Sequence, residues 1–225
     1  MTTARSLRRL VKPVAFVAAV APLTGLAFRG VGGELGANPI EVITHETGIW
    51  ALRFLLITLA ITPLRQLSGW RSLIGFRRML GLFAFLCASL HFCTYLVLDQ
   101  FFDFASIIED IAKRTYIAAG FAAFVLLVPL AATSTAAMIR SLGGRRWRIL
   151  HRLIYVSAVS GVAHYLWLVK ADTLRPLAYG MILATLLGFR AWHALSPQAK
   201  GIVSRNPSAA NRRIRALRSS AEPET

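Results

Sequence analysis

The sequence predicts an all-α integral membrane protein with six transmembrane helices, and three observations carry that expectation. Of 225 residues, 56% are hydrophobic and 16% charged, with a mean hydropathy of +0.56, a balance typical of chains that face lipid as well as a core. Apolar runs recur near residues 13–28, 48–64, 79–98, 115–133, 149–169 and 176–195. Each is about long enough to carry a helix across roughly 30 Å of hydrocarbon. Basic residues gather at every second connection, the pattern of cytoplasmic loops.

Taken in order, the first run follows Arg5, Arg8, Arg9 and Lys12, which set the segment 1–12 in the cytoplasm. This run also has the charged start and apolar middle of a secretory signal, with Ala19-Val20-Ala21 as a place to cut; retention as a membrane helix is the preferred reading. The stretch from Arg29 to Gly36 is glycine-rich, but it follows a helix rather than a strand and lacks dinucleotide spacing, so it reads as a flexible turn. The second run starts from an outer loop, Thr44-His45-Glu46-Thr47-Gly48, and returns inside to Arg65, Arg71, Arg77 and Arg78. The third run goes out to a loop ending in Lys113 and Arg114, and the fourth comes back to Arg140, Arg145, Arg146, Arg148 and Arg152. The fifth and sixth complete the bundle, with Lys170 and Arg175 between them. Pro13, Pro22, Pro63, Pro129 and Pro176 lie in or at the ends of these runs, where neighbouring helices re-satisfy the freed carbonyls.

The expected organisation is therefore a cytoplasmic N-terminus (1–12), one transmembrane domain (13–195) and a basic cytoplasmic tail (196–225) with Arg212, Arg213, Arg215 and Arg218. Both termini are inside. A net charge of +16 is common in nucleic-acid binders, but its distribution over alternate loops assigns it to topology and excludes that class. The tail reads as a solvated or headgroup-facing arm. Trp50, Trp147 and Trp167 near run ends fit an aromatic belt at the bilayer surface. Cys87 and Cys93, six residues apart on one helix, cannot join in a disulfide.

Histidines carry the chemistry. His91 lies about 12 residues into the third run and His164 about as far into the fifth, both of which start inside, so their imidazoles reach one depth. Two such rings can clamp a haem between helices as a low-spin, six-coordinate iron suited to electron transfer. For either histidine alone a carbonyl-bonded core residue is the plainer reading. The matched depth favours a ligand pair, because polar groups inside a bilayer are costly and usually functional. No Cys-x-x-Cys-His occurs, so any haem is held non-covalently.

His151 lies 13 residues before His164 on the same run, a rise of about 20 Å, the spacing of two haems stacked across a membrane. On a straight helix the two rings point about 140° apart, so curvature or approach from different sides is needed. At the depth of His151 the third run offers Arg77 or Arg78. A guanidinium has no lone pair for iron but pairs bidentately with a haem propionate or a quinone oxygen. Arg77, 14 residues before His91, falls within about 40° of the same face and is preferred to Arg78. His45 reads as an incidental loop histidine with a docking or proton role left open, and His193 as structural. Arg53, one to two turns inside the second run, either snorkels to the surface or meets a propionate.

At these residues the chain resembles the MsrQ (YedZ) family within the ferric-reductase-like transmembrane superfamily, over roughly 30–195. The likeness rests on Asn38-Pro39, His45-Glu46-Thr47-Gly48, the run Phe54 to Leu64, Arg77-Arg78-Met79-Leu80-Gly81-Leu82, His91, Thr133-Ser134-Thr135, Trp147, Leu150-His151-Arg152-Leu153 and His164-Tyr165-Leu166-Trp167. The resemblance implies that His91 and His164 ligate one b-type haem and that His151 belongs to a second, inner haem. Larger relatives carry histidine where this chain has Arg77, which leaves that haem's second ligand open. It further implies a bacterial inner-membrane subunit drawing electrons from quinol, and from a cytosolic flavin reductase as a second source. Those electrons pass to a periplasmic molybdopterin enzyme that reduces methionine sulfoxide in envelope proteins. The family is also associated with FMN, for which no residue here is a candidate. Two alternatives stand beside this reading: a stand-alone ferric or cupric reductase, and a non-redox transporter or assembly factor.

Overall fold

A computed structural model describes residues 3–196, with side chains from Val11 onward except that of Arg71. Met1, Thr2 and residues 197–225, and with them nearly all of the expected basic tail, lie outside the described residues. Among the described residues eight α-helices run in order: α1 Thr3–Val31, α2 Pro39–Ser68, α3 Arg77–Cys93, α4 Phe104–Lys113, α5 Thr115–Ala132, α6 Ala136–Leu150, α7 Leu153–Leu168 and α8 Leu174–Leu195. A 3-10 helix, Arg71–Phe76, leads into α3, and a π-helical turn, Thr94–Asp99, continues it. The described residues divide into two compact units, one ending at Ala184 and one starting at Thr185. In the second, the His193 ring lies 5.1 Å from Phe189 and its carbonyl accepts from Ser196 Oγ at 3.0 Å.

Four stretches among the described residues are long and apolar enough to cross a membrane: Val11–Val31, Pro39–Ser68, Ser72–Asp99 and Thr115–Ala132. The chain is thus an all-helical membrane protein. α7 is apolar but has only 16 residues. α2 is the central element. It starts on a reciprocal cap, with Glu41 N–H donating to Asn38 Oδ1 and Asn38 Nδ2 donating to Glu41 Oε2, and with Pro39 pre-set for the first turn. It ends at Gly69, whose left-handed φ of 69° lets its N–H return to the Arg65 carbonyl. Leu52, Phe54, Leu55, Leu56, Leu59 and Ile61 bury most of its circumference. α1, by contrast, exposes Val14, Val17 and Phe28 and meets the bundle through Ala19 and Phe16, whose ring stands edge-on to Phe83 at 5.4 Å.

Two helix pairs make the frame, α2 with α3 and α5 with α7. Ser157 and Ala158 let α7 approach α5 closely, and the buried Ser157 hydroxyl donates to the Ala123 carbonyl at 2.9 Å.

The structure corrects several local expectations. The run 149–169 is not one helix: His151 caps α6, its N–H bonding the Trp147 carbonyl, and α7 begins only at Leu153. The break frees His151 and His164 from the fixed 140° offset of a straight helix. The arginine-rich connection before it folds as α6, started by Thr135 Oγ1 accepting from Met138 N–H and kinked at Gly143, φ 74° and ψ 147°. No residue of α6 is buried, so hydropathy carries no trace of it. The connection between the third and fourth runs contains α4, capped by Asp103 and too short for a spanning window. His45 sits in the second turn of α2 rather than in a loop, and Arg53 lies nearly four turns along that helix.

Candidate functional site

His91 on α3 and His164 on α7 come together with ring centres 6.0 Å apart and planes at 74°. Each is held by the same device from the partner helix of its pair. His91 Nδ1 bonds the Thr44 carbonyl of α2 at 2.8 Å, and its ring lies on Gly48, where an added Cβ would stand 3.0 Å from Nδ1 and Cε1. His164 Nδ1 bonds the Tyr116 carbonyl of α5 at 2.6 Å, and its ring lies on Gly120, where a Cβ would stand 2.7 Å from Nδ1. In both cases the glycine follows the carbonyl residue by four, one turn along the helix. A carbonyl only accepts, so the proton sits on Nδ1 and Nε2 keeps its lone pair. Metal-binding histidines are commonly oriented in this way.

Between the helix pairs lies a cavity of about 340 Å³, lined mainly by apolar groups such as Leu52, Leu55, Phe92, Phe121, Phe124 and Leu127, with both histidines in its wall. The donor set fits a haem. An imidazole nitrogen lies about 2 Å from a ligated metal, so two rings on opposite faces of one ion stand with centres roughly 6 Å apart. Among the described residues no group of three or more His, Cys, Asp or Glu forms a metal cluster. Two nitrogens alone would leave an ion short of ligands, and a porphyrin would supply the rest.

Charge is confined to the rim. Asp110 Oδ1 forms an ion pair with Arg114 Nε at 3.1 Å, while its Oδ2 takes Tyr95 Oη at 3.1 Å and Gln100 Nε2 at 3.2 Å. The Tyr116 hydroxyl and the Asp110 charge raise the Arg114 guanidinium above its ordinary range. Asp103, which caps α4, is held below the usual carboxylate range by the Ser106 hydroxyl and by the N–H groups of Ser106 and Ala105.

The remaining sequence candidates fall elsewhere. His151 stacks on Trp147 with ring centres 4.0 Å apart, and Trp147 Nε1 donates to the Thr133 carbonyl at 3.0 Å. His151 lies within electrostatic reach of Arg77. Arg77 is half-buried at the start of α3, whereas Arg78 is exposed. His45, exposed itself, places its ring 6.4 Å from that of the buried Tyr165 and lines the cavity rim. Arg53 donates from Nε to Tyr179 Oη at 3.0 Å and lies 4.7 Å over the Trp50 ring. Sequence reasoning missed Gly120, the carbonyls of Thr44 and Tyr116, and Arg114. The available signal was a small residue in each apolar run, 43 and 44 positions before its histidine.

Comparison with known proteins finds a matching family and several similar chains. The model of the ferric reductase like transmembrane component family matches residues 47–162. The protein-methionine-sulfoxide reductase heme-binding subunit MsrQ of Herminiimonas arsenicoxydans is 52% identical over 193 residues, covering 85% of this chain and 88% of that protein. Its namesake from Rhodospirillum rubrum is 52% identical over 193 residues, 86% of this chain and 93% of its own length. That from Ralstonia nicotianae is 47% identical over 198 residues, 87% and 91%.

Proposed function

The chain belongs to the MsrQ family of ferric-reductase-like transmembrane proteins, and from that membership we propose that it is the haem-binding, electron-transferring membrane subunit of a protein-methionine-sulfoxide reductase. The observation that carries this reading is the facing pair His91 and His164, each oriented through Nδ1 by a neighbouring helix. Haem b held there supplies reversible one-electron chemistry at an iron whose coordination changes little. The residues' part is to present two lone pairs, fix ring orientation and exclude water with an apolar wall.

A second haem is assigned to the other end of the bundle, with His151 as a ligand and Arg77 pairing a propionate. Its proximity to His151 and its burial favour Arg77 over Arg78. The six spans are α1, α2, α3 with its π continuation, α5, α7 and α8, making a transmembrane domain of 13–195 in the bacterial inner membrane with both termini in the cytoplasm. The paired histidines then lie in the periplasmic half, near the enzyme they serve. Electrons enter from membrane quinol, or from a cytosolic flavin reductase, and leave to a periplasmic molybdopterin catalytic subunit that repairs oxidised envelope proteins. FMN is given no residue.

The test is anaerobic reduction of the purified protein by a quinol, followed by addition of the molybdopterin enzyme. A b-type α-band that forms with quinol and disappears only on that addition supports the reading. His91→Ala and His164→Ala should each remove the same low-spin signal. No α-band even with dithionite, or loss of different haems in the two variants, overturns the assignment.

A further inference from the structure

Among the described residues lining the His91–His164 cavity, Arg114 is the only cation and the exposed Asp99 the only carboxylate. A chamber with apolar walls and a single guanidinium at its rim matches a ligand that is apolar in body and anionic along one edge. We propose that Arg114 grips a propionate carboxylate of the haem that His91 and His164 ligate. This rests on the haem reading above and adds to it the residue that sets which edge of the macrocycle faces the rim.

The position is built rather than incidental. Arg114 stands where α4 ends and α5 begins, in an extended conformation (φ −108°, ψ 100°), with its N–H on the Asp110 carbonyl at 2.9 Å. Its Nε pairs ionically with Asp110 Oδ1 at 3.1 Å, and Asp110, whose side chain is 14% exposed, is itself fixed by Tyr95 and Gln100 through its other oxygen. Asp110 is therefore a positioning residue for the guanidinium. Nη1 reaches the Tyr116 hydroxyl at 3.5 Å, while Nη2 has no partner among the described residues. Two residues beyond Arg114, the Tyr116 carbonyl orients His164. Carboxylate grip and axial ligand are thus indexed to one backbone step, the first turn of α5.

The neighbouring cations are placed differently. Lys113 is exposed, pairs with Glu109 on its own helix and does not line the cavity. Arg53 is held between Tyr179 and Trp50 and also lies outside the cavity lining. A guanidinium meets a carboxylate through two parallel N–H donors, a geometry that an ammonium cannot reproduce.

The experiment compares haem b with its dimethyl ester, which keeps the macrocycle and removes the negative edge. Full-length protein produced without haem is titrated with each, reading the low-spin band. The wild type should bind haem b about tenfold more tightly than the diester. Arg114→Gln should erase that difference by weakening haem b alone, Arg114→Lys should restore part of it, and Lys113→Gln should leave it whole. Equal binding of the two porphyrins by the wild type, or an undiminished preference in Arg114→Gln, overturns the proposal while leaving the haem reading intact. If Arg114→Gln misfolds, the wild-type comparison alone decides. Wild-type protein that takes up neither porphyrin overturns both.

Discussion

Replacing Gly120 with alanine should separate the stability of the helices from the integrity of the site. The new Cβ would stand 2.7 Å from His164 Nδ1, 3.0 Å from Cε1 and 3.1 Å from Cγ. Unbonded carbon contacts settle at about 3.5–4.0 Å, so the ring must withdraw by roughly 1 Å. It cannot do so and keep the 2.6 Å bond from Nδ1 to the Tyr116 carbonyl, because methyl and carbonyl address the same ring atom. Losing the group that orients a metal-binding histidine typically costs about 10–100-fold in metal affinity. Meanwhile alanine in a helix interior gains about 0.5–1 kcal/mol over glycine, which offsets part of the overpacking cost of about 1–3 kcal/mol. The variant should stay folded and lose haem. Haem-to-protein ratio and the low-spin spectrum measure the site, and thermal loss of helical circular dichroism measures the fold. Gly48→Ala, with two ring atoms at 3.0 Å, should lose less, and Gly161→Ala, whose nearest neighbour is Leu52 at 3.8 Å, should lose nothing. Full haem content in Gly120→Ala, or an equal loss in Gly161→Ala, would refute the idea that the glycine is a seat for the ring.

Arg77→Lys should keep some of the inner haem with a shifted midpoint potential, since charge survives and the bidentate fork does not. Arg77→His should raise the low-spin fraction by completing a bis-imidazole site, and an effect confined to Arg78 variants would reverse the assignment. Ser157→Ala removes the tie from α7 to the Ala123 carbonyl and should destabilise the helix pair by about 0.6 kcal/mol, the average for interhelical bonds in membranes, as read by denaturation in detergent. Because Asp103 is more acidic in the folded chain, its stabilisation of α4 is complete above the ordinary aspartate pKa and lost as pH falls through the depressed value. Protection factors of the Ala105 and Ser106 amides, corrected for intrinsic exchange, should therefore fall as pH drops below the ordinary aspartate range, and Asp103→Ala should remove that pH dependence.

Reading the sequence alone reached the class of molecule and the residues worth testing. Hydropathy is a sum over neighbours in the chain, so the four long apolar helices were legible from the order of residues alone. Helix rise put His91 and His164 at one depth without any knowledge of packing. What no one-dimensional pattern carries is rotation between helices, and that decided the rest. The seats at Gly48 and Gly120 exist because α2 faces α3 and α5 faces α7 across more than forty residues of chain. α4 and α6 escaped because a short amphipathic helix and an arginine-rich helix with no buried residue lack the apolar run that marks a span. His151 proved to cap one helix rather than share another, since α6 ends on its N–H and α7 begins only at Leu153. Arg114 looked like a loop charge until folding brought Asp110, Tyr95 and Gln100 around it, turning a topological marker into a directed guanidinium at the mouth of the cavity.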